Sequence, residues 1–464
     1  MKVEKKIVIL FINISFILNV NAQHFSSLQN GVHSSEVRCM FTDTVADLLY
    51  VSGHFLNAGG VSTHNIASWN GTNWDSLGAG LNHSNNWIAY ALAMCRYNNE
   101  LCIGGGFIQA GLVNTHSMAR WDGNTWYSFP SEPLGGVIDM IVFNGELYIG
   151  GQFDSVGSLP VNGLAKWNGT SWSDAAFPNY QIGNSTNPVY CMAEYQGNLY
   201  VAGNFGASST HSRIAYWDGT LWQAMPNGGI IGGADWVSDM VVYNNELYVA
   251  GYFHIAEGNI GDNIQKWNGI TWSAVGGGTG GPNGQIAKLL VYHNKLYAMG
   301  VFQTAGGIPA DRIATWDGTN WCSLGSTFDN TIGSGAVYHD SLYIGGGFWT
   351  IDSDSMYYIS KWIGGDYTAN CTTVGINEET NTEEISIYPN PASKELGIRN
   401  YELGIKQVKI YNMLGEEVNS HWSLVNSKSV TIDVSGLASG MYFVEVYFDK
   451  LSNRGAVRKK FVKE

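Results

Sequence analysis

The chain has 464 residues, of which aromatic and charged residues each make up 13%, and its formal net charge is −14. So many aromatic and so few charged residues argue against a disordered or coiled-coil protein and favour a β-rich protein with a large buried core. The acidic balance argues against nucleic-acid binding, because that function needs a basic face, and is explained by solubility.

The first 22 residues predict a secretory signal peptide. Three lysines precede an apolar run over 7–18, and small side chains at 20–22 offer a cleavage site. The run is too short and too interrupted for a membrane span, and no later stretch is long and apolar enough for one. We therefore expect a mature chain that begins at Gln23, lies outside the cytoplasm and has no membrane span.

A unit with a period of roughly fifty residues recurs seven times between 23 and 373, and this period is typical of four-stranded propeller blades. Each copy contains Gly-x-Phe, then a Trp, then a two-residue turn and, in six copies, a second Trp. The repeated Gly, Phe and first Trp, for which we predict structural roles, are Gly53, Phe55, Trp69, Gly105, Phe107, Trp121, Gly151, Phe153, Trp167, Gly203, Phe205, Trp217, Gly251, Phe253, Trp267, Gly300, Phe302, Trp316, Gly346, Phe348 and Trp362.

Each copy is predicted to form four antiparallel strands. In the fifth copy these are VSDMVVY, ELYVAGYF, NIQKW and TWSAV, with tight turns at Asn244-Asn245 and Asn268-Gly269. The two Trp residues of a copy fall on one face, where they can stack and pack against a neighbouring sheet, and the repeated Gly should leave room for a facing ring. Because a lone sheet cannot bury both of its faces, the prediction is an all-β, seven-bladed β-propeller.

The start of the mature chain is expected to close the ring. HFSSLQNGVHSSEV resembles the fourth strand and exit loop of other copies, and Phe25 would stand where Trp74 stands. Phe25–Leu28 would then supply the outermost strand of the last blade. The alternative closing strand is DYTANC at 366–371.

The ends of two predicted strands carry a family resemblance. LYIGGGF at 342–348 and LCIGGGF at 101–107 resemble the apolar-then-Gly-Gly signature of kelch-type propellers. The Tyr that kelch repeats carry between Gly-Gly and Trp is missing from these copies. The resemblance implies a kelch-like propeller.

The export signal and an even number of cysteines, six, permit disulfides, and the cysteine spacing matches no zinc motif. Cys95 and Cys102 flank the turn RYNNEL and should face each other across a hairpin. We predict a disulfide between them; the alternative is that both are buried as free thiols.

The tail is a separate module. Residues 374–384 are polar and without periodicity, which is typical of a linker. Residues 385–464 alternate apolar and polar positions in short runs separated by turn residues, which predicts a small Ig-like β-sandwich.

Spaced motifs in this tail closely resemble the type A sorting domain of the type nine secretion system. The matching residues are Tyr388, Pro389, Asn390 and Pro391, then Ile410, Tyr411 and Asn412, then Gly440 and Tyr442, then Lys459 and Lys460. The resemblance implies a two-membrane bacterium, the type nine secretion machinery as a partner, and a protein released outside the cell or attached to its surface.

The long loops between the second and third strands and between blades should share one face of the ring. Function is expected among such loops, since a rigid scaffold holds them. The non-repeated aromatic and polar residues there, which we predict to bind ligand, are His83, Trp87, Tyr180, Asp235 and Trp236.

The sequence marks no catalytic set. No pair of carboxylates stands out as a glycosidase would need. His64, His116 and His211 occupy equivalent places in different blades, so they should lie too far apart for one metal ion. We therefore expect no cofactor and no metal, and a monomeric, non-enzymatic propeller that binds a glycan or protein. The alternatives are a polysaccharide-active hydrolase or lyase that uses Asp235, and a structural surface protein.

Overall fold

The computed structural model describes residues 24–83, 89–178, 188–205, 213–226, 229–230, 236–364, 385–400, 405–412, 417–448 and 457–464. They divide into two compact units, one within residues 1–372 and one within residues 373–464. The predicted signal peptide at 1–22 and the predicted linker at 374–384 lie outside these ranges.

Seven sheets, each with four main antiparallel strands, make up the described part of the first unit; we number them as blades 1 to 7 in chain order. The first strand of each blade is innermost and the fourth is outermost. The strands are Val32–Asp43, Leu48–Ala58, Ile66–Trp69 and Trp74–Ser76 in blade 1; Tyr90–Tyr97, Glu100–Gly106, Met118–Trp121 and Trp126–Tyr127 in blade 2; Pro133–Phe143, Glu146–Val156, Leu164–Trp167 and Trp172–Asp174 in blade 3; Val189–Tyr195, Asn198–Gly203, Ile214–Trp217 and Trp222–Ala224 in blade 4; Trp236–Tyr243, Glu246–Tyr252, Ile264–Trp267 and Trp272–Ala274 in blade 5; Gln285–Tyr292, Lys295–Val301, Ile313–Trp316 and Trp321–Ser323 in blade 6; Ile332–Tyr338, Ser341–Gly346, Ile359–Trp362 and Phe25–Ser27 in blade 7.

The seven sheets form a closed ring. Each innermost strand contacts the innermost strand of the next blade, and that of blade 7 contacts that of blade 1. The outermost strand of blade 7 is Phe25–Ser27, in which Phe25 pairs with Trp362 as Trp74 pairs with Trp69 in blade 1. The predicted propeller and its predicted closure by the N-terminal strand are both confirmed.

The repeated Gly-x-Phe is explained by the backbone of the same blade. A Cβ on Gly251 would lie 2.1 Å from the carbonyl oxygen of Trp236 in the innermost strand, and the other six repeated glycines face the equivalent oxygen at 2.0–2.2 Å. The room that each glycine leaves is therefore filled by a carbonyl of the adjacent strand, and the expectation of a facing ring is wrong. The repeated Phe side chains are all buried between blades.

The paired tryptophans join each blade to its neighbour. In the six blades with two Trp residues the rings lie 5.0–5.7 Å apart, tilted by 45–57°. The second Trp also donates its indole N–H to a carbonyl oxygen at the exit of the preceding blade, which a Phe could not do. These bonds run from Trp74 to Leu28, Trp126 to Leu77, Trp172 to Ser131, Trp222 to Ala175 and Trp321 to Val275, at 2.8–3.1 Å.

A second repeated contact between blades was not predicted from the sequence. A Tyr near the end of the innermost strand donates its hydroxyl to a carbonyl oxygen in the first turn of the next blade. The pairs are Tyr97 with Gly145, Tyr195 with Asn245, Tyr243 with Asn294, Tyr292 with Asp340 and Tyr338 with Asp47, at 2.8–3.3 Å.

The predicted disulfide between Cys95 and Cys102 is wrong. The two residues are direct partners across the hairpin, as expected, but both thiols are free and buried between blades 2 and 3. Directly opposed residues of antiparallel strands hold their Cβ atoms about 4.5–5.5 Å apart, whereas a disulfide needs about 3.8 Å. The two thiols therefore pack as small apolar side chains. Cys322, in contrast, is disulfide-bonded.

Short hairpins and one turn of helix build the loops between the second and third strands. Some of them pair with the exit segment of the preceding blade, so the loop face is tied together by backbone hydrogen bonds. The short elements are Val61–Ser62, Leu81–Asn82, Gln109–Ala110, Val113–Asn114, Leu159–Pro160, the 3-10 helix Ile255–Glu257, Thr279–Gly280, Thr304–Ala305, Ile308–Pro309, Thr350–Ile351 and Asp354–Ser355.

The second unit is a β-sandwich, as predicted. One sheet contains Ile385–Tyr388, Glu395–Asn400 and Ser429–Asp433, and the other contains Glu417–Ser427, Ile405–Tyr411, Gly440–Phe448 and Val457–Lys463. Apolar residues of both sheets share one core, with Leu396 and Ile432 from the first and Ile410, Val444 and Phe461 from the second.

Candidate ligand-binding face of the propeller

The face that carries the long loops is rigidly connected. The N–H of Val32 donates to the carbonyl oxygen of Tyr357 at 3.1 Å, and the N–H of Leu81 donates to that of His64 at 2.8 Å. Each bond links the chain that leaves a blade, on its way to the next one, to the residue pair that precedes the third strand of that blade. Thr279 and Asp262 make the same bond in blade 5, so the described loops of three blades are held in place and can present side chains in a fixed arrangement. We call this surface the loop face.

A cavity of about 290 Å³ opens on the loop face at the start of the innermost strands of blades 1 and 7. Glu36, Arg38, Asn330 and Thr331 line it. The Arg38 side chain is fixed at this mouth, since its Nε donates to Glu36 at 2.7 Å and its guanidinium carbon lies 5.0 Å from the ring centre of Tyr90.

A β-bulge in every innermost strand shapes the central channel below this mouth. A bulge leaves one residue unpaired and turns its side chain away from the sheet, so seven bulges at one height place seven non-repeated residues around the axis. The bulged residues, all of which line a central cavity of about 190 Å³, are Arg38, Leu92, Ile138, Tyr190, Ser238, Ala287 and Gly333.

Besides Arg38, this cavity is lined by three charged residues from three further blades, Asp139, Asp239 and Lys288. The Nζ of Lys288 lies 3.0 Å from Asp239 Oδ2, which also accepts the N–H of Leu289 at 2.7 Å. Asp139 accepts the N–H of Met192 from the next blade at 2.6 Å. Both carboxylates therefore connect their blade to the neighbouring one, which is a structural use of their oxygen atoms.

Burial and neighbouring charges shift the pKa values of three groups in this cavity. Burial raises the pKa of Asp139 to about 7, although the charge of Lys288 and two backbone N–H groups oppose this shift. Burial lowers the pKa of Lys288, but the Asp239 and Asp139 carboxylates raise it more, so Lys288 stays charged at neutral pH. Burial raises the pKa of the Cys39 thiol to about 12, which leaves it neutral and a poor nucleophile.

This cavity is too small for a polysaccharide, and among the described residues no three His, Cys, Asp or Glu side chains are grouped so that they could hold a metal ion. The channel therefore offers space for water or a small polar group. A larger ligand does not fit inside it.

Of the residues predicted to bind ligand, Trp236 lies at the mouth end of the innermost strand of blade 5. Its ring stacks on Tyr252 at 4.8 Å with 23° between the planes, and Tyr252 meets the edge of His254 at 4.8 Å. The Nδ1 atom of His254 lies 3.6 Å from Asp262 Oδ1. We call Trp236, Tyr252 and His254 the blade 5 patch.

Of the other predicted residues, only His83 lies among the described ones, and it is not part of this patch. His83 is half-buried and follows the short strand Leu81–Asn82, next to blade 2. Trp87, Tyr180 and Asp235 lie outside the described residues. Tyr252 and His254 were missed because they occupy positions that the repeat leaves variable. The signal was nevertheless present, since in no other copy are the middle residue of Gly-x-Phe and the residue after the Phe both aromatic or His.

A second aromatic group on the loop face was also missed. Trp349, Tyr357 and Tyr358 of blade 7 contact one another, and the Trp349 side chain is 41% exposed. The sequence signal was a Trp directly after the repeated Phe348, together with two Tyr residues where other blades have small or polar ones.

In the second unit, motif residues far apart in sequence lie together. Asn390 accepts the N–H of Val462 at 2.9 Å, and Tyr442 stacks on Phe461 at 5.7 Å. Gly440 pairs with Lys463 at the end of the last strand. Within the predicted secretion signal, Tyr388 is exposed, as are Lys459 and Lys460, and Pro389 and Pro391 both follow cis peptide bonds.

Residues 386–464 match the family described as the secretion system C-terminal sorting domain. This part of the chain is a sorting domain. The protein is therefore a β-propeller cargo of the type nine secretion system, which exports it to the outer surface of the cell or beyond. No helix among the described residues is both long and apolar enough to cross a membrane.

No curated protein matches the chain. Among solved structures, the chain is similar to the WD40 repeats of RRP9 at 12% identity, over 73% of this chain and 97% of that one, with a TM-score of 0.45. It is also similar to YjhT at 14% identity, over 65% and 97%, with a TM-score of 0.35. A third similar structure is the extracellular domain of the putative hybrid two component system BT4673 from B. thetaiotaomicron, at 11% identity, over 93% and 75%, with a TM-score of 0.32.

Proposed function

We propose that this exported propeller is a binding protein that uses its loop face to hold a glycan or a protein outside the cell. The observation that carries the proposal is the blade 5 patch, in which Trp236 and Tyr252 are stacked where the innermost strand of blade 5 begins. Stacked aromatic rings with polar tips are suited to recognition, because they bury a large apolar area and still donate or accept hydrogen bonds.

The charged groups in the channel support binding rather than catalysis. Asp139 and Asp239 are both engaged by backbone N–H groups of neighbouring blades, and Asp239 also pairs with Lys288. A carboxylate held in this way is poorly placed to exchange a proton with a polysaccharide on the loop face.

The proposal includes the organisation of the chain. A signal peptide at 1–22 is removed, the propeller covers 23–373, a linker covers 374–384 and the sorting domain covers 385–464. We also propose that the repeat is related to kelch repeats, on the basis of the Gly-Gly pairs in the second strands of blades 2, 3 and 7.

The test uses the mature full-length protein and its Trp236→Ala variant on a printed array of neutral and acidic glycans, and in cross-linking to the surface of the native cells. Loss of the stacked ring should weaken ligand binding about tenfold. Tyr127→Ala is the matched control, because Tyr127 is a 42% exposed aromatic residue on an outermost strand, away from the channel.

Binding that does not change in Trp236→Ala would contradict the proposed site. Release of reducing ends or unsaturated sugars from a polysaccharide, at a rate that tracks the protein concentration, would replace the binding function with a hydrolase or lyase.

A further inference from the structure

The aromatic group of blade 7 differs from its equivalents in the other blades. We infer that Trp349, Tyr357 and Tyr358 form a binding site for the pyranose rings of a neutral polysaccharide, an inference that rests on the proposed binding function and names its ligand class. We call these three residues the blade 7 cradle.

The rings of the cradle are perpendicular to one another. The Trp349 ring lies 4.7 Å from Tyr357 and 5.5 Å from Tyr358, with interplanar angles of 75° and 79°. The ring of His33 lies 5.1 Å from Tyr357 and extends the group toward blade 1. Perpendicular rings offer a ligand both a ring face and a ring edge, and Trp349 remains 41% exposed although it is a large apolar side chain.

The backbone under the two tyrosines is unusual. Tyr357 and Tyr358 have φ angles of 53° and 69°, both in the left-handed region that bulky side chains rarely adopt. The residue equivalent to Tyr358 is Asn65 in blade 1, Ser117 in blade 2 and Gly163 in blade 3. The fold requires the left-handed conformation at this position, but it does not require an aromatic ring there. Two aromatic rings at unfavourable backbone positions are expected where a ligand uses them.

The cradle is also held rigidly before any ligand binds. The N–H of Trp349 donates to Asp329 Oδ1 at 2.9 Å, and the carbonyl oxygen of Trp349 accepts the N–H groups of Met356 and Tyr357 at 2.9 Å and 3.2 Å. The carbonyl oxygen of Tyr357 accepts the N–H of Val32 at 3.1 Å. A site that is already ordered loses little conformational entropy on binding.

The charges around the cradle select the ligand. Asp352 and Asp354 are exposed in the loop that carries Trp349, and the exposed Asp329 accepts the N–H of Trp349 from the segment before blade 7. The cation Arg312, which donates to the carbonyl oxygen of Phe328, is paired with Asp311. A uronate or sulfated chain would be repelled, whereas the hydroxyl groups of a neutral sugar can donate to carboxylates. The C–H groups on the apolar face of a pyranose ring fit against an aromatic ring face.

The first test is affinity electrophoresis of the mature full-length protein in gels that contain xyloglucan, galactomannan or mixed-linkage β-glucan, with alginate and polygalacturonate as acidic counterparts. At least one neutral polysaccharide should retard the protein, and Trp349→Ala should raise its dissociation constant about tenfold. The matched control is Leu56→Ala, because Leu56 occupies the equivalent position in blade 1 and is 50% exposed.

A second variant separates a ligand-binding role from a structural one. Glycine relieves a left-handed backbone, so Tyr357→Gly should weaken binding to the neutral polysaccharide while its thermal midpoint stays unchanged or rises. If Tyr357 served only the packing of blade 7, the thermal midpoint would fall instead and binding would follow it.

The outcomes distinguish this inference from the proposed function. Retardation by neutral glycans that is equal in wild type and Trp349→Ala would overturn the cradle and leave a binding protein in place. Retardation by acidic polysaccharides alone, or no retardation in any gel together with a protein ligand that needs Trp236, would overturn the cradle as well.

Discussion

The outer strands of the propeller blades, which we call the outer layer, and the innermost strands around the channel, which we call the inner layer, connect neighbouring blades by different contacts. In the outer layer, a Trp of five blades donates the same hydrogen bond to the preceding blade, at 2.8–3.1 Å. In the inner layer, a Tyr hydrogen bond also recurs in five blades, but the charged contacts in the channel vary from blade to blade: Asp139 and Asp239 accept an N–H of the next blade, and Asp239 alone also pairs with Lys288. The difference separates the contacts that repeat around the ring from the channel residues that vary among blades.

The outer layer should carry most of the stability, because its buried rings repeat around the whole ring. The charges, thiols and bulged side chains that line the channel in the inner layer differ from blade to blade. Such variation is tolerated where the backbone is already fixed by the outer layer, and it is what a ligand can recognise.

The largest expected effect comes from a substitution in the outer layer of blade 7, where the paired strands come from opposite ends of the propeller sequence. Phe25 is buried against Trp362 at 4.9 Å between ring centres, although 337 residues separate them in the chain. Phe25→Asp should lower the free energy of unfolding by about 4 kcal/mol, because it removes a core ring and buries a charge. Urea denaturation measures the loss.

Ser27→Asp is the control for this change, since Ser27 lies on the same strand with an exposed side chain. An equal loss in both variants would mean that the strand tolerates no charge at all, and a loss below about 1 kcal/mol in Phe25→Asp would contradict closure of the ring by this strand.

The second effect tests the repeated glycine. Gly251→Ala places a Cβ 2.1 Å from the carbonyl oxygen of Trp236, and backbone cannot move away without distorting the bulged inner strand. We expect a loss of about 3 kcal/mol in the free energy of unfolding. Gly136→Ala should be neutral, because no atom lies within 4 Å of its Cβ position. Equal stability of the two variants would refute this explanation of the repeat.

The outer layer could be predicted from the sequence because each of its contacts recurs with the same spacing. The spacing of Trp69 and Trp74 around a two-residue turn predicts their stacking, and the likeness of the first mature residues to a fourth strand predicts the pairing of Phe25 with Trp362. Repetition fixes these geometries independently of the rest of the chain.

The inner layer could not be predicted in the same way. The bulge that turns Ile138 or Ser238 into the channel depends on backbone pairing within the blade, and nothing in one copy marks it. The meeting of Asp239 with Lys288 joins residues 49 positions apart that belong to different copies. The left-handed backbone of Tyr357 likewise comes from the fold, so only its departure from the repeat was visible in the sequence.

The third prediction concerns the inner layer alone and uses pH to change the charge of one of its carboxyl groups, Asp139. The pKa of Asp139 is raised to about 7 in the folded chain, against about 3.9 in an unfolded one. Between these values the native state holds a proton that the unfolded state has lost, so this group makes stability fall as the pH rises from about 4 to about 7.

Asp139→Asn removes this titration. Between pH 5 and pH 8 the wild type should lose on the order of 2 kcal/mol relative to Asp139→Asn, a figure reduced for solvent screening because Asp139 is only half-buried. Urea denaturation of both proteins at four pH values measures the difference. Parallel stability curves would show that the carboxyl group ionises normally in the channel.

The smallest effect isolates one hydrogen bond of the outer layer. Trp126→Phe keeps an aromatic ring but removes the indole N–H that donates to the Leu77 carbonyl oxygen at 2.8 Å. Trp272→Phe is the matched control, because Trp272 has the same place in blade 5 and its buried N–H has no partner among the described residues. Both variants lose the same ring volume, so the difference between them reports the hydrogen bond.

That difference should be about 1 kcal/mol in the free energy of unfolding, with Trp126→Phe the less stable. In blade 5 the change also removes an unsatisfied donor from the core, which should make Trp272→Phe milder still. If the two variants lost the same free energy of unfolding, stacking and burial of the paired rings would account for the stability of the outer layer. The indole N–H would then explain only why the repeat uses Trp rather than Phe. One such bond in each of five blades would link neighbouring blades independently of the channel residues that vary in the inner layer.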